Sequence, residues 1–423
     1  MIRSSKHTIK FTNSNKQNSL NLLFPEFKTA LSFYVDYLWS NKTIYGDKVF
    51  SVSENLLDCP SFISTVGVID FKTKLSARIL KCVSTQACGM VKAATEKRRK
   101  QLYILDKLKS ENKKISKGLL DSIKKPLVKP GIPDNVYIEL NSLCVDFEES
   151  NKEFNGFIQL KSLGKAFGKI RIPIKFHKQS NKWRAKGKLK SSFLISKDEI
   201  CFRWEIPEVK KRSKGTTLGA DQGVKTALTL SDSQITPRNK HNHDLYSINS
   251  ILSRKKKGSK AFRRTQEHRE NYVNWSVKQL NFSGVKQVNI EDISNLRKGK
   301  RTNRFLSHFA YTLIQDKLEA LAEEEGFLIK LSTSVYRSQR CSNCGLVRES
   351  NRKSKEYNCE CGFSCDSDLN AALNHSLELY ELPFDLRLLK LNKEGFFWKT
   401  SGIFSLSGQE LIVPDAIKSN ENC

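Results

Sequence analysis

The apolar positions of the first 120 residues follow a strand-like period and then a helical one. Residues 5–14 alternate between polar and apolar in the manner of a half-buried strand. From about residue 17 to 117 apolar side chains recur every three or four positions, which predicts helices, including a long one over 72–109. The stripe of the first helix is formed by Leu20, Leu22, Leu23, Phe27, Ala30, Leu31, Tyr34 and Leu38. The chain is therefore predicted to open with one strand followed by a helical domain.

A break follows, because three prolines lie between residues 126 and 133. Beyond them, apolar and polar residues alternate in short runs separated by regular turns. The runs predict strands at 136–140, 157–160, 169–174, 183–188 and 200–206. This pattern is typical of a small β-barrel or sandwich.

The second half of the chain alternates strands with helices. Residues 216–230 predict a hairpin of two apolar strands, with Asp221 near its centre. A strand over 285–292, a helix from about 309 to 325 and a strand over 328–332 follow. Such an order favours an α/β sheet with a helical layer. After about residue 385 the pattern weakens and predicts no element.

The charge of the chain restricts its partners. Its 423 residues carry a formal net charge of +29, which makes a polyanion the expected partner and an acidic membrane surface the competing one. No apolar run of 18 residues and no apolar secretory segment are present. We therefore expect an intracellular, cytoplasmic protein without a membrane partner.

Five of the eleven cysteines lie within residues 341–365. Cys341 with Cys344 and Cys359 with Cys361 form two close pairs, each followed by glycine. Such clustering in a large basic chain predicts a tetrahedral zinc site and a reducing compartment. The second pair has a single intervening residue, so Cys365 remains open as a substitute ligand.

Three carboxylates lie where strands or a helix begin or end. Asp221 interrupts an apolar strand, Glu291 ends another, and Asp368 stands at the start of a predicted helix. A carboxylate in an apolar strand is costly to desolvate unless it is paired or metal-bound. If the three converge, they form an oxygen-rich site suited to Mg²⁺ or Mn²⁺.

Two neighbouring acids remain open as alternatives. Asp292 competes with Glu291, although the alternation of the strand puts Glu291 on one face with Asn289. Asp366 competes with Asp368, and either could simply cap the helix.

The order of these motifs resembles a known family. The motifs are Gly219-Ala-Asp221-Gln-Gly223, Ile290-Glu291-Asp292, Arg340-Cys341-Ser-Asn-Cys344 and Asp368-Leu-Asn370-Ala-Ala. Together they resemble the split RuvC nuclease and zinc ribbon of TnpB, the transposon-associated RNA-guided nuclease, and of the miniature type V (V-F-like) CRISPR effectors. The resemblance covers roughly residues 216–375.

The resemblance implies a multidomain α+β and α/β fold. Its expected parts are a first wedge strand at 1–15, a helical recognition lobe at 16–120 and a β-barrel wedge domain at 121–210. An RNase H-like RuvC domain would occupy 211–335 and 366–390, with a zinc-ribbon, target-nucleic-acid-binding insertion at 336–365. A C-terminal tail at 391–423 would complete the chain.

The resemblance also implies an RNA-guided DNA endonuclease, encoded by a prokaryote or a phage. Asp221, Glu291 and Asp368 would be its catalytic triad and hold two Mg²⁺ ions, with Mn²⁺ as an alternative. Cys341, Cys344, Cys359 and Cys361 would hold structural Zn²⁺. Expected partners are a guide RNA, a target DNA duplex and its displaced single strand, and a homodimer is left open. Residues expected to contact nucleic acid are Lys255, Lys256, Lys257, Arg263, Arg264, Arg297, Lys298, Arg301, Arg304 and Arg340.

Two other functions remain open. One is an RNA-guided DNA-binding repressor with little or no cleavage. The other is a resolvase-like nuclease or zinc-ribbon nucleic-acid factor that needs no RNA.

Overall fold

The structure is a computed structural model, and it describes residues 1–40, 72–111, 115–293, 305, 308, 310–382 and 389–411. The chain divides into two compact units, Met1–Pro207 and Glu208–Cys423. Among the described residues, no helix is both long enough and apolar enough to span a bilayer. The part of the predicted helical domain at 41–71 lies outside the described residues.

The first unit opens with strand β1 (Ile2–Thr8) and helix α1 (Ser14–Ser40). Helices α2 (Ala77–Ser110) and α3 (Lys117–Lys124) follow, and Ser76 caps α2 by accepting a hydrogen bond from the Ile79 amide. The stripe predicted for α1 is buried, with the exception of Leu22, which faces solvent. The amphipathic pattern therefore predicted the helix and its packing face against α2.

Two antiparallel sheets complete the first unit. One contains β1, β8 (Glu199–Glu205), β7 (Phe193–Ile195) and β2 (Ile138–Leu140) in that order, with β6 (Lys188–Leu189) also paired to β8. The other contains β3 (Val145–Glu149), β4 (Gly156–Leu160) and β5 (Ile170–Ile174). Their apolar faces share one core with α1 and α2.

One predicted strand is wrong. Residues 183–186 belong to helix α4 (Lys178–Lys186), which buries Ser180 and Trp183 and ends at Gly187. The short alternation around Trp183 does not distinguish a strand from two turns of helix, and burial of the indole against the rest of the unit decides for the helix.

The second unit is built on a four-stranded sheet. Its elements are β9 (Thr216–Asp221), β10 (Thr229–Leu230), α5 (Leu245–Arg254), α6 (Lys260–Ser276), β11 (Val285–Asp292), α7 (Tyr311–Glu325) and β12 (Leu328–Thr333). The strand order is β10-β9-β11-β12, with β9, β11 and β12 parallel and β10 antiparallel. The predicted hairpin and both predicted strands are confirmed. Helix α7 ends at Gly326, whose φ of 82° suits glycine.

Short strands and one helix follow β12. They are β13 (Leu346–Val347), β14 (Arg352–Lys353), β15 (Glu356–Asn358), β16 (Ser364–Asp366), α8 (Ser367–Ser376), β17 (Phe396–Trp398) and β18 (Ile403–Phe404). Strands β14, β15 and β16 form one small sheet, and β13, β17 and β18 form another. The segment after residue 391, for which the sequence predicts no element, thus supplies two strands.

Helix α8 packs directly on strand β9. A side chain at Gly219 would place its Cβ 1.9 Å from the Ala372 carbonyl oxygen and 2.3 Å from the Ser376 amide nitrogen. Glycine on the strand and alanine on the helix therefore allow the two backbones to approach closely.

Candidate functional site

The parallel pairing of β9 and β11 aligns two carboxylates. Ala220 pairs with Ile290, so the next residues along the strands, Asp221 and Glu291, lie side by side at one edge of the sheet. The backbone amide of Gln222 donates a hydrogen bond of 3.2 Å to Glu291 Oε1. The strand register, and not proximity in sequence, brings these side chains together.

Asp368 reaches the same place from helix α8. Asp221, Glu291 and Asp368 line a cavity of about 340 Å³. Asp366 lies at the N-cap of α8, where its Oδ1 accepts hydrogen bonds from the amides of Asp368 and Leu369 at 2.8 and 3.3 Å. Asp292 is exposed at the end of β11. The structure thus places Asp368 and Glu291 in the cavity, whereas Asp366 has a capping role.

Burial and mutual repulsion make the paired carboxylates costly to ionise. Burial raises the pKa of Asp221 well above its ordinary value, and the nearby charges of Glu291 and Asp368 add to the rise. Burial likewise raises the pKa of Glu291 to about 7. A cation in the cavity would offset both effects, so the donor set fits a hard divalent ion.

Two cationic side chains face the third carboxylate. Lys355 Nζ forms a close ion pair with Asp368 Oδ2, and an Arg352 guanidinium nitrogen lies 3.9 Å from Oδ1. Both cations come from the hairpin between the two cysteine pairs. The sequence did not reveal them, because a two-residue strand has no measurable periodicity.

His375 is a further residue that the sequence reasoning missed. A ring nitrogen of His375 and carboxylate oxygens of Asp221 and Glu291 all lie within 4.8 Å of one another. Ser332 Oγ lies 2.6 Å from His375 Nδ1, which leaves Nε2 available to a ligand. Burial, together with the nearby charge of Arg337, lowers the pKa of His375 to about 3, so the imidazole is neutral. Asp368 and His375 are seven residues apart, so they lie on one face of α8. This spacing could have indicated His375 from the sequence.

The four predicted cysteine ligands form a compact cluster. Their sulfur atoms all lie within 4.8 Å of one another, with 3.7 Å between Cys341 and Cys361 and 3.7 Å between Cys344 and Cys359. Four sulfurs bound at about 2.3 Å around tetrahedral zinc would be separated by about 3.8 Å. The cluster therefore fits zinc without rearrangement.

The tight second pair is accommodated by a turn. The Gly362 amide donates to the Cys359 carbonyl oxygen at 3.0 Å, and Gly362 has a φ of 85°. Cys365 Sγ instead donates to the Asp366 carbonyl oxygen and is not among the four clustered sulfurs.

Comparisons with known proteins find relatives of this chain. Residues 311–375 match the family model described as "Cas12f1-like, TNB domain". The chain is 35% identical over 115 residues to the CRISPR-associated endodeoxyribonuclease Cas12f1 of Sulfoacidibacillus thermotolerans, covering 27% of this chain and 26% of that protein. It is 34% identical over 93 residues to the TnpB-like protein aq_aa05 of Aquifex aeolicus, covering 20% of this chain and 30% of that protein.

The chain is a TnpB- and Cas12f1-like protein. The matched segments span about a quarter of the length of these curated relatives. The likeness in fold covers more of the chain than the likeness in sequence. The chain matches the protein in the cryo-EM structure of the Cas12f1-sgRNA-target DNA complex with a TM-score of 0.52 and 16% identity, covering 86% of this chain and 82% of that one.

In this TnpB-like chain, Arg340 lies inside the protein. It is 5% exposed, and its guanidinium donates to the carbonyl oxygens of Trp398 and Cys341 and to Asn374 Oδ1. The expectation that Arg340 contacts nucleic acid is therefore corrected: all of these contacts are internal, and they tie the cysteine segment to α8.

The other basic residues divide into two groups. Lys255, Lys256 and Lys257 follow helix α5, and Arg263 and Arg264 lie in the first turns of α6, where both are exposed. Arg297, Lys298, Arg301 and Arg304 lie outside the described residues. The first group thus offers cationic surface, and its contact with nucleic acid stays a prediction.

Proposed function

We propose that this TnpB- and Cas12f1-like chain is an RNA-guided DNA endonuclease of the RuvC type. The observation that carries the proposal is the convergence of Asp221, Glu291 and Asp368 in one cavity, within a chain of net charge +29. The named endodeoxyribonuclease activity of the Sulfoacidibacillus relative supports it.

The domain assignment follows from the same proposal. In the first unit, residues 16–120 would serve as the recognition lobe, and 1–15 with 121–210 as the wedge domain. In the second unit, residues 211–335 and 366–390 would form the RuvC domain around a zinc-ribbon insertion at 336–365. The tail from 391 would join the small sheet beside that insertion.

Asp221, Glu291 and Asp368 would hold Mg²⁺ or Mn²⁺, with His375 as a further nitrogen ligand. When bound, such ions activate water and stabilise the leaving oxygen in phosphodiester hydrolysis. The Gln222 amide fixes the orientation of the Glu291 carboxylate, and Ser332 fixes the imidazole of His375. The side-chain amide of Gln222 is buried in the cavity wall and has no hydrogen-bond partner among the described residues, so it can bind a ligand.

Guide RNA and target DNA would be held by their phosphates. In this mode guide pairing reads the sequence, and the protein contacts backbone shape and a short flanking motif. Lys256, Lys257, Arg263 and Arg264 supply exposed cations for such contacts, and the half-buried Lys255 lies next to them. Each contact with a phosphate would steepen the salt dependence of binding.

The test is cleavage of a labelled duplex by the full chain purified with its RNA, in Mg²⁺, with duplex binding measured separately. We expect Asp221→Asn and Asp368→Asn to lose cleavage by at least about a thousandfold while binding is retained, since they remove ligands of the reacting site. Asp292→Asn is the matched control, because this acid is exposed beside the cavity. It should cut at the wild-type rate.

Two outcomes would favour other functions. Tight, guide-dependent binding by the wild type without nicking would identify a repressor. Cleavage by protein that carries no RNA would identify a nuclease that needs no guide.

A further inference from the structure

The hairpin between the two cysteine pairs is anchored beside the third carboxylate. Strands β14 and β15 pair Arg352 with Tyr357 and Lys353 with Glu356, so Ser354 and Lys355 form the turn. The turn is fastened to the start of helix α8 twice. The Ser367 amide donates to the Lys355 carbonyl oxygen at 2.8 Å, and Ser367 Oγ donates to the Ser354 carbonyl oxygen at 2.9 Å.

This anchoring directs one cation onto one carboxylate. Ser367 is fully buried and immediately precedes Asp368. The Asp368 side chain is 10% exposed and that of Lys355 is 39% exposed. The ammonium group therefore meets a nearly buried carboxylate, while the lysine side chain as a whole remains partly open to solvent. Arg352 is a weaker partner, at 3.9 Å.

We propose that Lys355 is a positioning residue that couples the cysteine cluster to the carboxylate site. Its ammonium group holds Asp368 and competes with the divalent cation for that carboxylate. The inference rests on the proposed function, because it takes the three carboxylates to be the cation site.

The chemistry of lysine suits this exchange. An ammonium group is a point charge on a flexible four-carbon stem, so it can leave one oxygen without moving the backbone. When a divalent cation neutralises Asp368, Lys355 can turn toward solvent or a nearby phosphate. The backbone anchors at Ser367 do not depend on that movement.

The coupling to the cysteine cluster follows from the chain path. Residues 352–355 lie between Cys344 and Cys359, and Tyr357 of the same hairpin is buried beside the cluster and pairs with Cys365 on β16. Loss of the metal from the cluster would release the hairpin from both ends. The hydrogen bonds of Ser367 would still tie the turn to α8, but a hairpin with free ends would hold Lys355 less firmly at Asp368.

The experiment measures Mn²⁺ binding to the full chain by the electron paramagnetic resonance signal of free Mn²⁺. Lys355→Gln is expected to bind Mn²⁺ roughly five- to tenfold more tightly, because a competing charge-assisted contact is removed. Lys355→Arg keeps the charge and should remain near wild type. Lys353→Gln, an exposed lysine of the same hairpin, should not change the affinity.

A second variant tests the coupling itself. Cys361→Ser, which removes a cluster sulfur, should shift Mn²⁺ affinity in the direction of Lys355→Gln. The double variant should then bind no more tightly than Lys355→Gln alone, because both changes remove the same contact. Additive effects would overturn the coupling.

The outcomes separate this inference from the proposed function. Equal affinity in wild type, Lys355→Gln and Lys353→Gln would overturn the inference, provided that Asp221→Asn lowers the affinity. Equal affinity in wild type and Asp221→Asn would overturn the cation site, and with it both proposals. Thermal unfolding of each variant establishes that it is folded. Zinc content establishes that the variants at Lys355, Lys353 and Asp221 keep the cysteine cluster intact, whereas Cys361→Ser should lose the metal.

Discussion

Arg340 and Asn374 exchange hydrogen bonds in both directions. The Asn374 side-chain amide donates to the Arg340 carbonyl oxygen at 2.7 Å, and the Arg340 guanidinium donates to Asn374 Oδ1 at 2.5 Å. Asn370 donates to the same carbonyl oxygen at 2.8 Å. The two asparagines, one helical turn apart, thus bind the start of the cysteine segment to α8.

Arg340→Met is expected to destabilise the second unit. It leaves Asn374 Oδ1 and the Trp398 carbonyl oxygen without a buried donor, which costs roughly 2–4 kcal/mol. Urea unfolding measures the loss. Affinity for nucleic acid at temperatures where the variant is folded should not change, and a selective fall in that affinity would contradict the internal role.

Gly219→Ala is expected to separate α8 from β9. The added methyl group would overlap the Ala372 carbonyl oxygen, and overlap with backbone is not relieved by a rotamer change, so we expect a loss of about 3 kcal/mol or more. Thermal unfolding measures it. Gly89→Ala is the control, since no other part of the described structure lies within 4 Å of its added Cβ beyond the adjoining turns of its own helix, and it lies inside α2, where alanine is favoured. Equal effects of both substitutions would contradict the packing.

Zinc analysis should find about one ion per chain, held by four thiolates. Cys359→Ser and Cys361→Ser should lose most of the zinc. Cys365→Ser should keep it, because the Cys365 thiol donates a hydrogen bond to a carbonyl oxygen and does not belong to the cluster. Release of zinc by a mercurial reagent, followed with a metallochromic dye, measures the content. Loss of zinc from Cys365→Ser would show that this thiol is a ligand.

His375 should give Mn²⁺ in the carboxylate site a nitrogen ligand. The expected signature is a ¹⁴N modulation in pulsed electron paramagnetic resonance that disappears in His375→Gln, together with a roughly five- to tenfold fall in Mn²⁺ affinity. His268→Gln, a substitution on helix α6, serves as the control. Absence of the nitrogen signal in the wild type would restrict the ligands to oxygen.

His7 should make the first unit less stable in acid. Its ring is buried, with Nδ1 3.2 Å from the Lys175 carbonyl oxygen and Nε2 3.0 Å from Ser180 Oγ. Burial, together with the stacked His177, lowers the pKa of His7 from 6.5 to about 4, although the hydrogen bond with the Lys175 carbonyl oxygen acts in the opposite direction.

The sign follows from proton binding. Between pH 6.5 and about 4 the unfolded chain binds a proton at His7 that the folded chain does not. The free energy of unfolding therefore falls as the pH drops through this range, by up to about 3 kcal/mol. Urea unfolding at several pH values measures the slope, which His7→Gln should reduce. An unchanged slope in that variant would assign the acid sensitivity to other groups.

The sequence predicted the parts of the site that lie on long, regular elements. Strand β11 and the β9–β10 hairpin have clear apolar runs, so Asp221 and Glu291 could be assigned to strands. That Asp368 lies beside these two carboxylates could be predicted only from the order of the motifs. No periodicity in the sequence relates the start of a helix to the end of a strand. Helix α4 was missed because Trp183 is drawn into the core by packing that a six-residue window does not contain.

Other features have no signal in sequence. Lys355 meets Asp368 through a hairpin fixed by two hydrogen bonds of Ser367, and Arg340 is internal because two asparagines hold its carbonyl oxygen. Both depend on the close approach of separate segments, and local pattern does not encode such contacts. The spacing of His375 from Asp368 did encode a shared helix face, but not its contact with Ser332.

The parallel ladder between β9 and β11 has a consequence for how the protein could be divided. The ladder alone aligns Asp221 with Glu291, and residues 231–284, between β10 and β11, leave the sheet and return to it. The turn at Lys256–Ser259 between α5 and α6 is largely exposed, and, apart from its chain neighbours, none of the described residues comes within 4 Å of a Cβ added at Gly258. A backbone break there would leave the sheet pairing intact. The chain is therefore suited to division at this turn into two fragments, which would associate to form the complete protein when they are brought together.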